Sequence, residues 1–363
     1  MKNSKKNLVL VVLSVLVICS LLFVTGCSAK EEPVAAAPAA VATEEVEKSP
    51  FEGDPSETYY MCVMVSGVEY WFPVYEMMKE AGQQLGVDTV YTGTPEYDIN
   101  KQLAVFEQIL AKKPAGILLH PMNPDAFIEP INRAAEMGIP VVTFAADSPN
   151  SDRVSYITSD NAREGRIAAD TIAADMGFKG EVAVLENPGQ DNHDKRIKAF
   201  IDQIEAEYPD MEVVARAATN QDPNKAYTAV QTMMQAHPNL GGIFMPEASS
   251  AMGAAQATKE AGTGVRVMCC DVNAKVLDMI KAGDIFASLN PNQGVQGYFG
   301  MLMLYLANHS DMIEPMNDYE KAGYNPMGIP LVDNGLTVVT AENADFFYWD
   351  DYLEKRGTKG INE

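Results

Sequence analysis

The regular alternation of short strand-like runs with amphipathic helical stretches is the feature of this sequence that most restricts its fold. Between about residues 59 and 290, apolar runs rich in β-branched residues are separated by longer segments with a helical period. Strands that alternate with helices form βαβ units, whose parallel sheets are covered by helices on both faces. The predicted strands are Tyr59–Val65, Thr89–Tyr91, Gly116–Leu119, Val141–Phe144, Val182–Leu185, Glu212–Ala217, Gly242–Met245, Val265–Cys270 and Phe286–Leu289.

The intervening segments carry apolar stripes with the spacing of a helix. One stripe consists of Val74, Met77, Met78, Ala81 and Leu85, and the next of Ile99, Leu103, Phe106 and Leu110. Four strand–helix units precede residue 150, and four or five follow Asn161. The count favours two doubly wound halves over one very wide sheet. In such folds a ligand lies beyond the carboxyl ends of the strands, so two facing sheets would hold one ligand in the cleft between them.

The first 26 residues have the parts of a secretory signal. Lys2, Lys5 and Lys6 precede an apolar run, Leu8–Val24. The segment closes with Val24-Thr25-Gly26-Cys27. This ending resembles the lipobox of bacterial lipoproteins, and the resemblance implies cleavage before Cys27 and acylation of its thiol. An uncleaved transmembrane helix is the alternative, because the run approaches the roughly 20 residues that a span requires.

Composition excludes several classes of function. The formal net charge is −23, whereas nucleic-acid binding needs a basic surface. No phosphate-binding glycine loop, nucleophile elbow or zinc spacing of cysteine and histidine is present, so we predict no enzyme activity, no cofactor and no metal site. The cluster Gln190–Asp194 could chelate a cation, but a polar loop between a strand and a helix is the commoner explanation for such a cluster. Cys62, Cys269 and Cys270 have the pattern of small buried hydrophobic residues.

Several segments in a fixed order identify a family resemblance. The body from about Tyr59 to Thr340 resembles the type I periplasmic sugar-binding proteins, relatives of the ribose-binding protein that serve ABC importers. The segments that carry the resemblance are Tyr70-Trp71-Phe72, Gly138–Phe144, Ser159-Asp160-Asn161, Lys195-Arg196 with Phe200, Ala236-His237-Pro238, the strand ending at Asp271, and Thr337–Thr340 with Glu342-Asn343.

The resemblance implies an α/β fold of two doubly wound parallel-sheet lobes joined by a three-crossing hinge. Together with the signal and the Ala-, Glu- and Pro-rich stretch that follows it, this gives a division of the whole chain. We predict a signal peptide at 1–26, a lipidated Cys27 and disordered spacer at 27–57, lobe 1 at 58–160 plus 291–332, and lobe 2 with a C-terminal tail at 161–290 plus 333–363.

The family's ligand positions map onto strand ends of this chain. After the first strand the family stacks aromatic rings on the sugar, and Glu69, Tyr70 and Trp71 occupy that place. After the fourth strand Ala145 departs from the family's first acid, while Asp147 matches its second. The predicted ligand contacts are Glu69, Tyr70, Trp71, Asp147, Asn192, His193, Asp194, Gln221, Glu247, Asp271 and Asn290. For Asp147 a loop-capping role and for Asp194 a helix-capping role stay open, and Asn292 is an alternative to Asn290 because Pro291 replaces the family's glutamine.

The function expected from this resemblance is capture of a small sugar or polyol and delivery to the membrane permease of an ABC importer. The protein would be a monomer outside the cytoplasm, held to a membrane by its lipid. A receptor for a signal such as autoinducer-2 is the alternative, since Pro246-Glu247-Ala248 matches that branch. The loop Ser66–Glu69 lacks that branch's lysine, however, and Asn192-His193 replaces its Asp-Gln pair.

Overall fold

A computed structural model describes residues 51–313 and 327–350 of the chain. The predicted signal peptide, Cys27, residues 28–50 of the spacer and residues 351–363 of the tail lie outside this part. Among the helices of these two ranges, none is both long and apolar enough to cross a membrane.

The described chain alternates strands and helices as the pattern predicts. The strands are β1 (Thr58–Val63), β2 (Asp88–Gly93), β3 (Gly116–Leu119), β4 (Val141–Phe144), β5 (Ser155–Thr158), β6 (Gly180–Glu186), β7 (Met211–Ala218), β8 (Leu240–Phe244), β9 (Arg266–Cys270), β10 (Ala287–Pro291), β11 (Leu331–Asp333) and β12 (Leu336–Val339). The helices are α1 (Trp71–Leu85), α2 (Ile99–Leu110), α3 (Ile128–Glu136), α4 (Asn161–Asp175), α5 (Asp191–Glu207), α6 (Pro223–Ala236), α7 (Ala248–Ala261), α8 (Ala274–Ala282) and α9 (Gln293–Asn308). Short 3₁₀ turns occupy Ser310–Ile313 and Ala344–Phe346.

Two six-stranded sheets define the two lobes. The sheet of lobe 1 has the order β11-β5-β4-β3-β1-β2, and that of lobe 2 has the order β12-β10-β9-β8-β6-β7. All neighbouring strands are parallel except β10 and β12, which are antiparallel. The strand order reverses at β1/β3 in lobe 1 and at β6/β8 in lobe 2, so each sheet has a switch point. The predicted fold class is confirmed.

The sequence pattern missed three short strands, of which β11 and β12 lie at sheet edges. β5, β11 and β12 have three or four residues each and were not among the predicted strands. β1 also ends at Val63, two residues earlier than predicted, because the chain turns there into the loop before α1. Strands of three or four residues carry little periodic signal, since so few side chains alternate.

Each sheet is buried on both faces, as parallel sheets require. In β1, Tyr59, Met61 and Val63 belong to one apolar cluster, while Tyr60 and Cys62 belong to the cluster on the opposite face. The sheet of lobe 2 divides its side chains between two clusters in the same way. The three cysteines of these ranges are buried and form no disulfide.

Three segments cross between the lobes. They connect β5 to α4, β10 to α9 and β11 to β12. Asn334 in the third crossing ties the other two together, because its backbone N–H donates to the Thr158 carbonyl at 3.2 Å and its side-chain amide donates to the Asn292 carbonyl at 3.2 Å. The crossings therefore form one hydrogen-bonded bundle at the base of the cleft.

Candidate ligand-binding site

A cavity of about 410 Å³ lies between the lobes at the carboxyl ends of both sheets. Its volume is within the range of small-molecule sites. Side chains from the loops after β1, β3 and β4 line it from lobe 1, and side chains from the loops after β6, β7, β8 and β9 line it from lobe 2. A broader groove of about 690 Å³ lies beside β7 and α6 and shares no lining residue with this cavity.

Eight of the eleven predicted contacts line this cavity. From lobe 1 they are Tyr70, Trp71 and Asp147, and from lobe 2 they are Asn192, His193, Gln221, Glu247 and Asp271. Residues more than 200 positions apart in the sequence thus meet at one place, because parallel strands present their carboxyl ends at one edge of each sheet.

Three predicted contacts lie outside the cavity wall. Glu69 is exposed at the rim, where its carboxylate accepts a hydrogen bond from the Ala274 backbone N–H of the opposite lobe at 3.4 Å. Asp194 is exposed on α5 and accepts a hydrogen bond from the Gly189 backbone N–H at 3.0 Å, so it orders the loop before that helix. Asn290 is buried in β10, with a side-chain oxygen that has no hydrogen-bond partner among the described residues.

An aromatic cluster forms the lobe 1 wall. The ring centroids of Trp71 lie 5.0 Å from Tyr70, 4.7 Å from His120 and 5.7 Å from Phe144. The Trp71 indole N–H donates to the Val65 carbonyl at 2.8 Å, which fixes the ring within the loop after β1. Trp71 is only 3% exposed, so it contributes mainly through packing, whereas Tyr70 and His120 present polar atoms beside it.

The backbone is left-handed at several points of the wall. Ala145 after β4, Gln221 after β7 and Asp271 after β9 have φ angles of 58°, 62° and 68°. Residues with a Cβ rarely adopt this conformation, and it persists where the surrounding structure holds it. The Asp271 backbone is held in this way by hydrogen bonds to Leu289 and Ser288 at 2.7 Å and 2.6 Å.

Asp271 is a partly buried acid of the wall whose carboxylate is available to a ligand. Within the described residues its carboxylate accepts no hydrogen bond, although it opens partly onto the cavity. Burial raises the pKa of Asp271 to about 7, and the nearby Arg196 charge only partly opposes this rise. A partly buried carboxylate without a hydrogen-bond donor among the described residues is stabilised when a ligand hydroxyl donates to it.

Arg196 faces the same region from α5 and is held by a buried acid. Its Nε donates to the Glu164 carboxylate, and its Nη1 donates to the Pro246 carbonyl at 3.0 Å. Burial lowers the pKa of Arg196, but the Glu164 charge more than offsets this, so the pKa is raised overall. Glu164 also accepts a hydrogen bond from the Ser159 hydroxyl. The pair fixes a guanidinium whose remaining nitrogen makes no hydrogen bond within the described ranges.

Two other predicted acids are already occupied by protein groups. The Asp147 carboxylate is paired with Arg153 through both oxygens, at 2.5 and 2.7 Å, and accepts further hydrogen bonds from the Thr143 hydroxyl and the Ser148 backbone N–H. Glu247 caps α7, accepting hydrogen bonds from two backbone N–H groups of its first turn. Both side chains line the cavity, but most of their hydrogen-bonding capacity serves the fold.

Two histidines lie in the wall, one from each lobe. Burial lowers the pKa of His120 to about 4, and burial together with the Arg196 and His120 charges lowers the pKa of His193 well below its ordinary value. Both rings are therefore neutral at physiological pH. His193 Nδ1 pairs with the Asn187 side chain at 3.1 Å, whereas His120 Nδ1 is buried and has no partner among the described residues.

Sequence reasoning missed several residues of the wall. His120, Arg196 and Gln296 line the cavity but were not predicted as ligand contacts. His120 directly follows the predicted strand Gly116–Leu119, so the strand-end rule could have found it. Arg196 belongs to the Lys195-Arg196 motif that supports the family resemblance. Gln296 lies in α9 beyond the second crossing, where no local pattern marks it.

The arrangement can bind a compact polar molecule that both donates and accepts hydrogen bonds. Acceptors from lobe 2, a fixed guanidinium and aromatic rings surround one cavity. Among residues 51–313 and 327–350, no three acid, histidine or cysteine side chains form a group suited to a metal ion.

Comparison with known proteins gives a consistent result. A periplasmic binding protein domain matches residues 59–309. The solved structure of an arabinose-binding protein from Geobacillus stearothermophilus is 34% identical, with a TM-score of 0.75, and the alignment covers 81% of this chain and all of that one. A sugar-binding protein of a sugar ABC transporter from Bacillus halodurans is 32% identical, with a TM-score of 0.76, over 80% of this chain and all of that one.

A curated relative, the D-apiose import binding protein of Actinobacillus succinogenes, is 28% identical over 56% of this chain and 66% of its own length, just under two thirds. The domain match covers well over half of the present sequence, and the arabinose-binding structure is matched over its whole length. The chain therefore belongs to the periplasmic binding protein family.

Proposed function

We propose that this chain is an extracytoplasmic solute-binding protein that captures a small sugar or polyol between its lobes and delivers it to an ABC importer. The single observation that carries the proposal is the cleft wall. In it, the Asp271 carboxylate, which accepts no hydrogen bond from residues 51–313 or 327–350, and the fixed guanidinium of Arg196 lie beside aromatic rings. Sugars present apolar ring faces and a rim of hydroxyl groups, so such a wall complements both parts of the ligand.

The relatives support the same class of ligand. One is named for arabinose, one for import of D-apiose, and one for a sugar ABC transporter. These proteins bind a solute and carry out no reaction, which agrees with the prediction that this chain is not an enzyme. Closure of the lobes on the ligand would be a population shift, because contacts from both lobes are satisfied together only in the closed form.

We further propose that residues 1–26 are removed as a signal peptide and that a lipid on Cys27 tethers the protein through the spacer 28–57. A tether would keep the body near its permease and raise its effective concentration there. The strand membership of the two sheets supports the division into lobe 1 (58–160 plus 291–332) and lobe 2 (161–290 plus 333–363), except that Pro291 pairs in the lobe 2 sheet and Asp333 in the lobe 1 sheet. We propose that the protein acts as a monomer, which light scattering after size-exclusion chromatography would test.

A ligand screen tests the function directly. Purified protein would be melted in the presence of pentoses, hexoses and polyols, and positives measured by calorimetry. A ligand that binds only the folded protein raises the melting temperature by mass action. Asp271→Ala should abolish the shift, whereas Asp88→Ala should not, since Asp88 is exposed at the amino end of β2, the end opposite the cavity. Absence of a shift with every sugar and polyol would refute the ligand class.

The anchor needs its own test. Cells expressing the full chain would be labelled with a fatty-acid analogue and fractionated. We expect label and membrane association in the wild-type protein and loss of both in Cys27→Ser. Labelling that persists in the variant would rule out Cys27 as the acylated residue.

A further inference from the structure

Gln296 is a buried amide in the cavity wall that is only partly used by the protein. Its side chain is 1% exposed, and its Oε1 accepts a hydrogen bond from the Tyr70 hydroxyl at 3.2 Å. Its Nε2 donates to no residue that the structure describes, although the residue lines the cavity. An amide donor in a cavity wall that has no partner among the described residues can donate to water or to a ligand.

The neighbouring residues of the crossing cannot supply this donor. Pro291 lines the cavity but has no N–H, and Asn290 does not reach the wall. Asn292 caps α9 through its side chain and accepts a hydrogen bond from Asn334 through its carbonyl. The nearest side-chain amide that reaches the cavity is therefore one helical turn further along, at Gln296.

The packing of two helices holds Gln296 in place. The next residue, Gly297, lies directly on α1, where a Cβ would stand 1.7 Å from the Val74 carbonyl oxygen. This close approach brings the start of α9 against the start of α1, where Tyr70 precedes the first helical residue. Tyr70 lines the cavity from lobe 1 and Asp271 lines it from lobe 2. Burial raises the pKa of the Tyr70 hydroxyl, and the Asp271 charge adds to this rise.

We propose that Gln296 is a ligand-contacting residue that determines specificity, with Tyr70 orienting its amide. The inference rests on the proposed function of the cleft as a sugar or polyol site. The Gln296 amide donates to a ligand oxygen on the lobe 1 side, while the carboxylate of Asp271 accepts from a hydroxyl on the lobe 2 side. The site therefore favours a ligand with an oxygen acceptor at the position facing α9 and discriminates against analogues that lack it.

The test combines variants of the full chain with analogues of the sugar or polyol that binds best in the screen. Gln296→Glu keeps an oxygen for the Tyr70 hydroxyl but replaces the amide donor by an acceptor, and Gln296→Met removes both polar atoms at similar volume. Gln293→Met is the matched control, because Gln293 is also buried on the first turn of α9 but does not line the cavity. Dissociation constants would be measured for the parent ligand and for its monodeoxy analogues.

We expect both Gln296 variants to bind the parent ligand about 10-fold or more weakly, and Gln293→Met to stay within about twofold of wild type. One deoxy analogue should bind the wild-type protein more weakly than the parent ligand does, and its affinity should not fall further in Gln296→Met. The oxygen that this analogue lacks is then the one that Gln296 contacts. If both Gln296 variants are folded and bind like wild type, the inference is wrong while the proposed function stands. If one variant fails to fold, the other decides the outcome. If wild type binds no sugar or polyol, the proposed function itself fails.

Discussion

Replacing Asp271 by Asn should make the unliganded protein more stable and the ligand complex weaker. Asn removes the charge but keeps the shape, and it tolerates the left-handed backbone that Asp271 adopts at φ 68°. Burial raises the pKa of Asp271 from 3.8 to about 7, which means that the folded protein pays a penalty for ionising this group. The unfolded chain ionises it freely.

The size and the pH range of the effect follow from this shift. A rise from 3.8 to about 7 corresponds to about 4 kcal/mol, since one pKa unit is about 1.4 kcal/mol. This is an upper bound, because Asp271 opens partly onto the cavity and opening of the lobes would hydrate it. The penalty is fully present above pH 7, shrinks as the pH falls below 7 and vanishes below 3.8, where both states are protonated.

The assay is thermal unfolding of wild type and Asp271→Asn without ligand, at pH values from 4 to 8. We expect the variant to melt higher at pH 8, by up to roughly 10 °C, with the difference shrinking as the pH falls below 7. Its affinity for the sugar ligand should fall by about 10-fold or more. Equal melting temperatures at pH 8, or a variant that melts lower there, would show that the Asp271 carboxylate is not an unpaired group.

Asp147 is a second acid of the cavity wall and serves as the control for Asp271, because its replacement by Asn is expected to lower stability instead of raising it. It follows β4 as Asp271 follows β9, but its carboxylate is paired with Arg153 at 2.7 Å. Asp147→Asn should therefore lower stability by about 2 kcal/mol, because a largely buried guanidinium loses its partner. The loss should persist throughout pH 6 to 8. If both Asn variants shift the melting temperature in the same direction, the distinction between a free and an occupied acid is wrong.

Three further changes test how the structure holds the site. Gly297→Ala should lower the free energy of unfolding in urea by about 2 kcal/mol, since a Cβ would meet backbone atoms of α1. Gly294→Ala is the control and should be nearly neutral, because its Cβ meets only the flexible Met77 side chain at 3.1 Å. Equal effects of the two substitutions would refute the helix contact. Glu69→Gln should weaken the contact of this side chain with the amino end of α8 in the other lobe. Ligand dissociation measured by stopped flow should therefore be about two- to fivefold faster, and an unchanged rate would show that this contact does not hold the lobes closed. Glu164→Ala should destabilise by about 3 kcal/mol in denaturant titration because Arg196 loses its buried partner, and a loss below about 1 kcal/mol would contradict the ion pair.

Much of the wall could be predicted because it lies at strand ends. Asp271 and Asn192 follow buried strands in the sequence, and the rule for parallel sheets places such residues at one edge. Asn290, predicted from the family resemblance, lies inside β10 and does not line the cavity. Glu69 lies at the rim, where its contact depends on how closely the opposite lobe approaches.

The apolar pattern of the chain is sufficient to predict the two-lobed architecture and the positions of the loops around the cleft. The period of the apolar residues decides which segments become strands or helices, and the alternation of these segments decides the topology. The tertiary structure alone decided which polar groups are available to a ligand. Asp147 and Asp271 are both acids after a strand, but only the fold brings Arg153 against the first and leaves the second without a hydrogen bond among the described residues. Gln296 likewise joins the wall only because Gly297 lets α9 lie on α1. Hydrogen-bond availability depends on the path of each loop, as for Asp147 and Arg153, and on contacts between distant helices, as for Gln296. Neither has a periodic pattern in the chain.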